Sequence, residues 1–347
     1  MGLTTFDMPR IHRVVQGPGA VHAIGEELRS RGLSRAYLVT GRSVGSSAHF
    51  RDLVDELGDS VAGVYDRVLA HNPVDRVVEL IGEARASRAD VLIAVGGGSP
   101  IDAAKLAALG GAHGITTAEG LAEFAVVFEY PDTVKIRPLD TAPLPTFAVP
   151  TTLSAAEWDG FCGSVDHAIE IGYAKNAHPF FSALTTGALR LLAANLPRSA
   201  ADPQDFEAAL NCQIAAWMSI IGVHNVSLGL SHAIGHQLGA LGIPHGVTSC
   251  IMLPHVMRFL EPVTQDAQAR MATTLVEAGV ATPGEPAADA MDRLLNDLGV
   301  PRRVSDFGIP KEKIPGVAAS SMGDIVVRES PRPVDEATIT RLLETVW

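Results

Sequence analysis

The chain has 347 residues, of which 47% are hydrophobic and 19% are charged, and its formal net charge is -12 at pH 7. This composition is typical of a globular protein, and the length is sufficient for two domains that each bury a core. The acidic balance argues against a nucleic-acid partner, because binding to nucleic-acid phosphates requires a basic patch.

Cysteine usage and hydropathy bear on the cellular location. The three cysteines, Cys162, Cys212 and Cys250, form neither a disulfide framework nor a Cys-x-x-Cys zinc ribbon. Residues 1–15 lack the pattern of a signal peptide, and no apolar run reaches the roughly 18 residues of a membrane span. We therefore predict a cytoplasmic protein without a membrane partner.

The first half of the chain alternates strand and helix patterns. Short apolar runs predict strands, and apolar positions repeated every three or four residues predict helices. This alternation indicates a parallel sheet with helices on its faces. The predicted elements, in chain order, are strand 36–40, helix 50–57, strand 61–68, helix 74–88, strand 90–95, helix 100–109 and strand 146–150.

The second half carries only helical periodicity. We therefore expect an α/β domain over 1–155 and an all-α domain over 156–347. The predicted helices of the second half are 183–194, 203–218, 226–238, 249–260, 266–278, 286–298 and 334–346.

A glycine-rich turn, GGGSPIDAAK at 96–105, lies between a predicted strand and a predicted helix. Gly97 and Gly98 let backbone N–H groups approach a pyrophosphate closely, and the helix N-terminus adds free donors and a favourable dipole. Ser99 suits either a helix cap or a bond to phosphate. The turn matches neither the Gly-x-Gly-x-x-Gly fingerprint nor a Walker loop, so alone it is a weak signal.

Three histidines converge in the second half. His232 and His236 are four residues apart and share one face of a helix, and His245 returns just beyond Pro244. This spacing is typical of a metal-ligand set or of a proton relay. The alternative is a buried helix whose imidazoles form hydrogen bonds with their neighbours. Because three histidines converge in a segment interrupted by glycine and proline, we favour a functional site.

Taken together, the motifs resemble the iron-containing, or group III, alcohol dehydrogenases. Residues 150–157, PTTLSAAE, are similar to the maleylacetate reductase branch, because Leu-Ser-Ala replaces the Gly-Thr-Gly of typical alcohol dehydrogenases in the family. The matching segments occur in family order and span nearly the whole chain: HNP at 71–73, GGGSPIDAAK at 96–105, VPTT at 149–152, HAIE at 167–170, SHAIGHQLGA at 231–240, PHG at 244–246 and CIMLPHVMRF at 250–259.

The resemblance implies a dehydroquinate synthase-like architecture. The N-terminal domain would bind NAD(H) or NADP(H), and substrate and any metal would lie between the domains. Hydride would pass between nicotinamide C4 and a carbonyl carbon, with His236 relaying a proton or orienting the substrate beside His232 and His245. It also implies a homodimer. The implied cofactor-binding residues are Gly41, Arg42, Ser43, Asn72, Gly97, Gly98, Ser99, Asp102, Thr151, Thr152 and Ser154.

The turn after the first strand bears on the choice of nicotinamide. Family members that prefer NAD tend to carry an Asp there that holds the ribose, whereas this chain has Thr40-Gly41-Arg42-Ser43. Arg42 and Ser43 are able to bond a 2′-phosphate, and no acid repels it. Arg42 could equally be a solvated turn residue. The sequence is therefore compatible with use of NADPH or of both cofactors, and it does not decide between them.

The metal site departs from the family pattern. The family's ligands are an Asp, a His four residues later and two further histidines, which correspond to His167, His232 and His245. Gly163 stands where the Asp is expected, and Asp166 would point elsewhere on a helix. Three histidines still suit Zn²⁺, whereas Fe²⁺ more often takes a carboxylate. Maleylacetate reductase-like members often work without a metal, so Fe²⁺, Zn²⁺ and no metal all stay open.

A few tens of residues are absent relative to the family pattern, because residues 160–165 run straight into the HAIE helix. Either the chain carries a true deletion, or a segment is unrecorded. We favour the second explanation, since strands beside a cofactor are hard to lose without unfolding the domain.

Four functions follow from these observations. The first is a metal-independent, maleylacetate-like NAD(P)H reductase. The case for it is weaker because an acidic substrate needs a cationic side chain, and few arginines and lysines lie near the motifs. The second is a metal-dependent alcohol or aldehyde oxidoreductase on the same fold. A sugar-phosphate lyase related to dehydroquinate synthase is the third, and a non-enzymatic binding protein is the fourth. The His-x-x-x-His and PTTLSAAE patterns favour the reductases.

Overall fold

The computed structural model describes residues 11–129, 133–154, 156, 164–223 and 225–347. The chain divides into two units, one containing residues 11–127 and 135–161 and the other containing residues 128–134 and 162–347. The first holds a parallel sheet and the second is helical, which confirms the predicted fold class. The domain boundary between residues 155 and 156 stays a prediction.

Up to residue 150 the described chain alternates helices and strands much as the periodicity predicts. The elements are α1 (Ile24–Ser30), β1 (Ala36–Val39), α2 (Arg42–Gly45), α3 (Ala48–Leu57), β2 (Val61–Tyr65), α4 (Val74–Ala86), β3 (Val91–Gly96), α5 (Gly98–Ala112), α6 (Ala118–Ala122), β4 (Val127–Glu129), β5 (Thr133–Lys135) and β6 (Thr146–Pro150).

Four of these strands form one parallel sheet in the order β2-β1-β3-β6, and β4 and β5 form a separate two-stranded sheet. Every residue of β1 and β3 is buried, as their continuous apolar runs predict for central parallel strands. Ala36 pairs with Val91, and Gly96 pairs with Pro150. The carboxyl ends of β1, β3 and β6 therefore meet at one edge of the sheet.

Alternate residues of the central strands enter different cores, because successive side chains of a strand point to opposite faces. On one face, Tyr37 and Val39 belong to a core with Leu80 of α4 and Ile101 of α5. On the other face, Leu38 belongs to a core with residues of α1 and α3. Helices thus cover both faces of the sheet.

In the second unit, the described residues after 163 form helices around one large core. Nearly all of α10 is buried, as expected for a helix that is apolar on most sides. The helices are α7 (Ser164–Tyr173), α8 (Pro179–Ala201), α9 (Phe206–Ile220), α10 (Leu230–Ala240), α11 (His245–Glu277), α12 (Ala287–Asp297), α13 (Ile314–Ser321) and α14 (Glu336–Thr345).

Two predicted helices, 249–260 and 266–278, are joined in α11. Thr264 has non-helical angles (φ -128°, ψ 18°) two residues after Pro262, so the joined helix kinks there. The kink explains why the sequence pattern shows two helices. Among the described residues, no helix has both the length and the apolar character needed to cross a membrane.

Candidate active site

Loops that follow three neighbouring parallel strands carry most of the residues predicted to bind the cofactor. Residues 41–43 follow β1, residues 97–99 follow β3, and residues 151–154 follow β6. The chain leaves β1 for β2 on one side and then returns to β3 on the other side. Doubly wound sheets bind nucleotides at such a switch point, outside the carboxyl ends of the strands.

The glycine turn after β3 has a backbone that requires glycine. Gly96 has φ +150°, and Gly97 is the extended N-cap residue of α5. Gly97 has no side chain with which to accept the first N–H groups of α5, so these donors are available to an anion. The geometry agrees with the predicted pyrophosphate loop.

The threonine loop lies against this turn. The Thr151 N–H donates to the Gly96 carbonyl at 2.9 Å, and a Cβ added at Gly97 would lie 3.1 Å from Thr152 Oγ1. The structure therefore brings the glycine turn and the threonine loop together at one edge. The role of Thr151, Thr152 and the buried Ser154 in binding a cofactor stays a prediction.

The suggestion that Ser99 caps the helix is wrong. Helix α5 begins at Gly98, two residues earlier than predicted, so Ser99 lies within the first turn and Gly97 occupies the N-cap position. The sequence pattern did not show this earlier start, because glycine is not an apolar position from which helical periodicity can be read. A bond from Ser99 to phosphate stays a prediction, as does a role for Asp102, one turn further along α5.

Close packing at Gly97 gives a testable prediction. The methyl group of an alanine at position 97 would lie too close to Thr152, so the threonine loop must shift. This shift changes the shape of the predicted pyrophosphate loop. We expect the Kd for the nicotinamide cofactor to rise about 10-fold, or about 1.4 kcal/mol. Fluorescence titration measures this change. Gly111→Ala is the matched control, because Gly111 lies in α5 with open space around its Cβ position. Equal affinity of the two variants would contradict the account.

The loop before α4 lies beside the end of β1. The Val68 N–H donates to the Thr40 carbonyl at 3.2 Å, which holds the loop near Gly41. His71 and Asn72 have φ values of 61° and 47°, in the left-handed region that non-glycine residues seldom adopt. Such strain clusters at functional sites, which agrees with a role for Asn72.

Four imidazoles meet in the helical unit. His167 of α7 stacks on His232 of α10 with ring centroids 4.8 Å apart, and His236 stacks on His245 at 5.4 Å. The centroids of His232 and His245 are 6.2 Å apart. The structure therefore groups the four histidines as the sequence predicts, while their chemical roles remain predictions.

A buried carboxylate holds His232. Glu170 Oε2 accepts from His232 Nδ1 at 2.7 Å and from the Gly229 N–H at 2.7 Å, and Oε1 accepts from the Ser231 N–H at 2.9 Å. Glu170 thus caps the N-terminus of α10 and fixes the ring orientation of His232. With Nδ1 bonded to Glu170, Nε2 is the nitrogen left to face a ligand.

Asp166 contradicts the expectation that it points away from the site. It is 1% exposed, accepts from Ser231 Oγ at 2.9 Å and lies 3.3 Å from His232 Nδ1. The expectation was wrong because it considered only the neighbour His167. Asp166 and Glu170 are four residues apart and share a face of α7, and this spacing was the signal in the sequence.

The carboxylates and burial shift the pKa values of the cluster in different directions. Burial raises the pKa of Asp166. Burial also opposes the charged form of His232, but Asp166 and Glu170 outweigh it and raise the pKa of His232 to about 9. Burial, reinforced by the neighbouring histidines, holds the pKa of His167 well below its usual range. His167 is therefore neutral near pH 7, as a metal ligand must be.

The donor set fits a metal ion. Within the described ranges, both ring nitrogens of His167 and Nε2 of His232 are buried without a hydrogen-bond partner. Buried polar atoms without partners are costly, and a cation would satisfy them. His167, His232 and the neighbouring His245 offer three imidazoles, a set that Zn²⁺ accepts.

Within the described residues, the candidate ligand atoms that all lie within 4.8 Å of one another belong to Asp166, Glu170 and His232 and not to the three histidines. Each oxygen of Glu170 already accepts hydrogen bonds, from Gly229 and His232 on one side and from Ser231 on the other. These bonds suit the carboxylates to orienting the imidazole of His232 from behind, and ligation of an ion by the three histidines stays a prediction.

Sequence reasoning missed the partner of His236. His236 Nδ1 lies 2.7 Å from Asp324 Oδ2, and Asp324 Oδ1 accepts from the Val326 N–H at 3.0 Å. The His236 side chain is 20% exposed, while its Nε2 atom is buried. Asp324 is far from His236 in sequence and carries no spacing signal that would have linked the two.

One unit presents a sheet edge suited to a nucleotide, and the other presents a buried histidine cluster backed by carboxylates. These features define a nucleotide-dependent enzyme with imidazoles suited to holding a metal ion and moving a proton.

Comparison with known families gives the class a name. Residues 11–182 match the model of the iron-containing alcohol dehydrogenases, and residues 162–347 match the C-terminal model of the same family. The chain belongs to the iron-containing alcohol dehydrogenase family. It is an NAD(P)-dependent oxidoreductase that acts on a small alcohol or carbonyl compound.

Individual relatives agree with this assignment. The chain is 30% identical to the lactaldehyde reductase of Escherichia coli (strain K12), over 95% of this chain and 97% of that one. It is 29% identical to the maleylacetate reductase of Sphingobium indicum, over 96% and 95%. A solved 1,3-propanediol oxidoreductase has the same fold, with a TM-score of 0.85, 24% identity and coverage of 99% and 100%. Maleylacetate reductases among the relatives confirm the resemblance to that branch.

The comparisons also bear on the absent segment. The alignment with the lactaldehyde reductase has 378 positions, whereas the chain has 347 residues, so at least 31 positions have no counterpart here. This agrees with the few tens of residues predicted to be absent. Gly163, at the predicted ligand position, lies outside the described residues. The sequence is continuous from residue 160 to 170, so the favoured explanation of an unrecorded segment is wrong and the shorter connection belongs to the chain itself.

Proposed function

We propose that this chain reduces the carbonyl group of a small substrate to an alcohol with NAD(P)H, and that His236 supplies the proton. The observation that carries the proposal is the bond between His236 Nδ1 and Asp324 in the same cluster as His167, His232 and His245. An imidazole oriented by a carboxylate is a frequent general acid.

The proposed step balances as follows. A reduced nicotinamide cofactor, when bound, would supply hydride to the carbonyl carbon as the carbonyl electron pair moves to oxygen. His236 would give that oxygen a proton from Nε2. Asp324 accepts the Nδ1–H throughout, so the ring keeps its orientation during the transfer. Oxidation of an alcohol is the reverse sequence, with His236 as the base.

We further propose that His167, His232 and His245 hold a divalent cation, which when bound polarises the carbonyl oxygen as a Lewis acid. Buried ring nitrogens without partners at His167 and His232, within the described residues, support this proposal. Three imidazoles without a carboxylate among the ligands suit Zn²⁺ better than Fe²⁺. The competing proposal is metal-independent reduction, supported by the maleylacetate reductase-like PTTLSAAE segment and by Gly163.

A carbonyl panel tests the function. Small aldehydes, 2-oxo acids and maleylacetate are offered with NADH and NADPH, and oxidation of the cofactor is followed by absorbance. Each assay is run on the protein as purified, after chelation, and after reloading with Zn²⁺ or Fe²⁺. Turnover lost on chelation and restored by metal supports the Lewis-acid form. Turnover that survives chelation supports the metal-independent form, and no turnover with any carbonyl contradicts both.

We propose that Arg42 favours NADPH by binding its 2′-phosphate. Arg42 and Ser43 are exposed at the start of α2, and the turn 40–43 that follows β1 contains no acidic residue. Arg42→Ala is expected to lower kcat/KM for NADPH about 10-fold, with little change for NADH, because the loss of one charge-assisted bond costs about 1.5 kcal/mol. Arg85→Ala, an exposed arginine of α4, is the control. An equal loss with both cofactors would contradict a phosphate-binding role.

The assembly and location are proposed on less direct grounds. The family resemblance supports a homodimer, and the sparse cysteines support a reducing, cytoplasmic location. Sedimentation equilibrium measures the assembly directly: a mass of one protomer would contradict the homodimer.

A further inference from the structure

We propose that Asp166 is a second positioning carboxylate for His232. It lies behind the imidazole and offsets the loss of the carboxylate ligand expected from the family, since the sequence has Gly163 at that position. The inference rests on the proposed metal-binding role of His232. It deepens that role, because it identifies which residue of this chain offsets the missing ligand.

The geometry places both carboxylates behind the same ring nitrogen. Glu170 Oε2 lies 2.7 Å from His232 Nδ1, and Asp166 Oδ2 lies 3.3 Å from it. Ser231 Oγ donates to Asp166 Oδ2 at 2.9 Å, which fixes the carboxylate in that position. Since α7 carries both acids four residues apart, one rigid helix face presents the pair to His232.

All three side chains of this arrangement are buried, so each charged group needs a partner. Asp166 and Glu170 are each 1% exposed, and His232 is fully buried. A buried carboxylate is stable only if it is paired or protonated. Among the described residues, Asp166 forms an ion pair with His232, and Glu170 also pairs with His232. Two acids therefore share one imidazole, so carboxyl groups are in excess over basic groups at His232 Nδ1.

A cation on the Nε2 side of His232 would offset this excess. Carboxylates that accept from the far nitrogen of a metal-binding histidine increase its basicity as a ligand, and their removal commonly lowers metal affinity about 10- to 100-fold. We therefore expect Asp166, in addition to Glu170, to increase the affinity of the site for a metal ion electrostatically and not by direct ligation.

The test compares Asp166→Asn with Ser231→Ala. The Asn variant keeps the shape and an oxygen that can accept from Ser231, but it removes the charge. The Ala variant keeps the charge and removes the hydroxyl group. We expect Asp166→Asn to bind Zn²⁺ about 10- to 100-fold more weakly in competition with a chromogenic chelator, and Ser231→Ala to lose less. Zn²⁺ affinity of Asp166→Asn equal to that of the unchanged protein would overturn the proposal.

A second readout needs no metal and separates the two proposals. The Nδ1–H proton of His232 is expected to resonate at low field in the metal-free protein, and Asp166→Asn is expected to move it upfield. If the unchanged protein fails to bind Zn²⁺ while this shift is seen, the metal site fails and the positioning role of Asp166 stands. If the resonance does not move, Asp166 does not position His232.

Discussion

Replacing His236 with glutamine is expected to lower kcat about 10²- to 10⁴-fold, because the reaction loses its general acid. Cofactor affinity and metal content should change little, since His236 is not among the proposed ligands. Asp324→Asn is expected to give a smaller loss, because the imidazole remains but its orientation and charge are no longer fixed by a carboxylate. Steady-state rates of both variants measure this order.

Gln237→Ala is the matched control for this pair. Gln237 is the next residue of α10, and its side chain makes only a long contact of 3.5 Å to Asp324. Its loss should leave kcat within about 3-fold, in line with a hydrogen bond worth less than about 1 kcal/mol. If His236→Gln retained the full rate, another group would have to supply the proton.

Replacing Glu170 with alanine is expected to destabilise the helical unit by about 3–5 kcal/mol, because it breaks a buried pair and leaves His232 without its main acceptor. The variant also leaves the N–H groups of Gly229 and Ser231 without an acceptor at the start of α10. The urea midpoint, followed by far-ultraviolet circular dichroism, measures the loss.

An exposed acid provides the comparison. Glu207 pairs with Arg198 on the surface of the helical unit, with 75% of its side chain exposed. Glu207→Ala should change the stability by less than about 1 kcal/mol, because solvent screens the pair. Similar midpoints for the two variants would mean that Glu170 is not the anchor of α10.

Much of the fold was predictable because its elements are regular. The buried runs at 36–39 and 91–96 identified the central strands, and α4, α9 and α12 lie close to their predicted ranges. The periodicity gave no prediction for the short α1 and α13. Predicted strand 61–68 ends at Tyr65, because the chain turns there into the loop that holds Asn72. Loop geometry of this kind depends on distant contacts, which periodicity does not record.

The site was predictable where its residues are close in sequence. His232, His236 and His245 were found from spacing, and His167 came from the family motif. Partners that approach from other helices were not found in this way. Asp324 reaches His236 only through the packing of α13 near α10, which the sequence does not specify.

Transfer of deuterium from nicotinamide C4 to product tests the central claim most directly. The protein is incubated with cofactor deuterated at C4 and a carbonyl substrate that supports turnover, and the product is analysed by mass spectrometry and NMR. We expect one deuterium on the former carbonyl carbon, at a rate that falls sharply in His236→Gln. Cofactor oxidation without deuterium in the product, or product formed without cofactor, would contradict it.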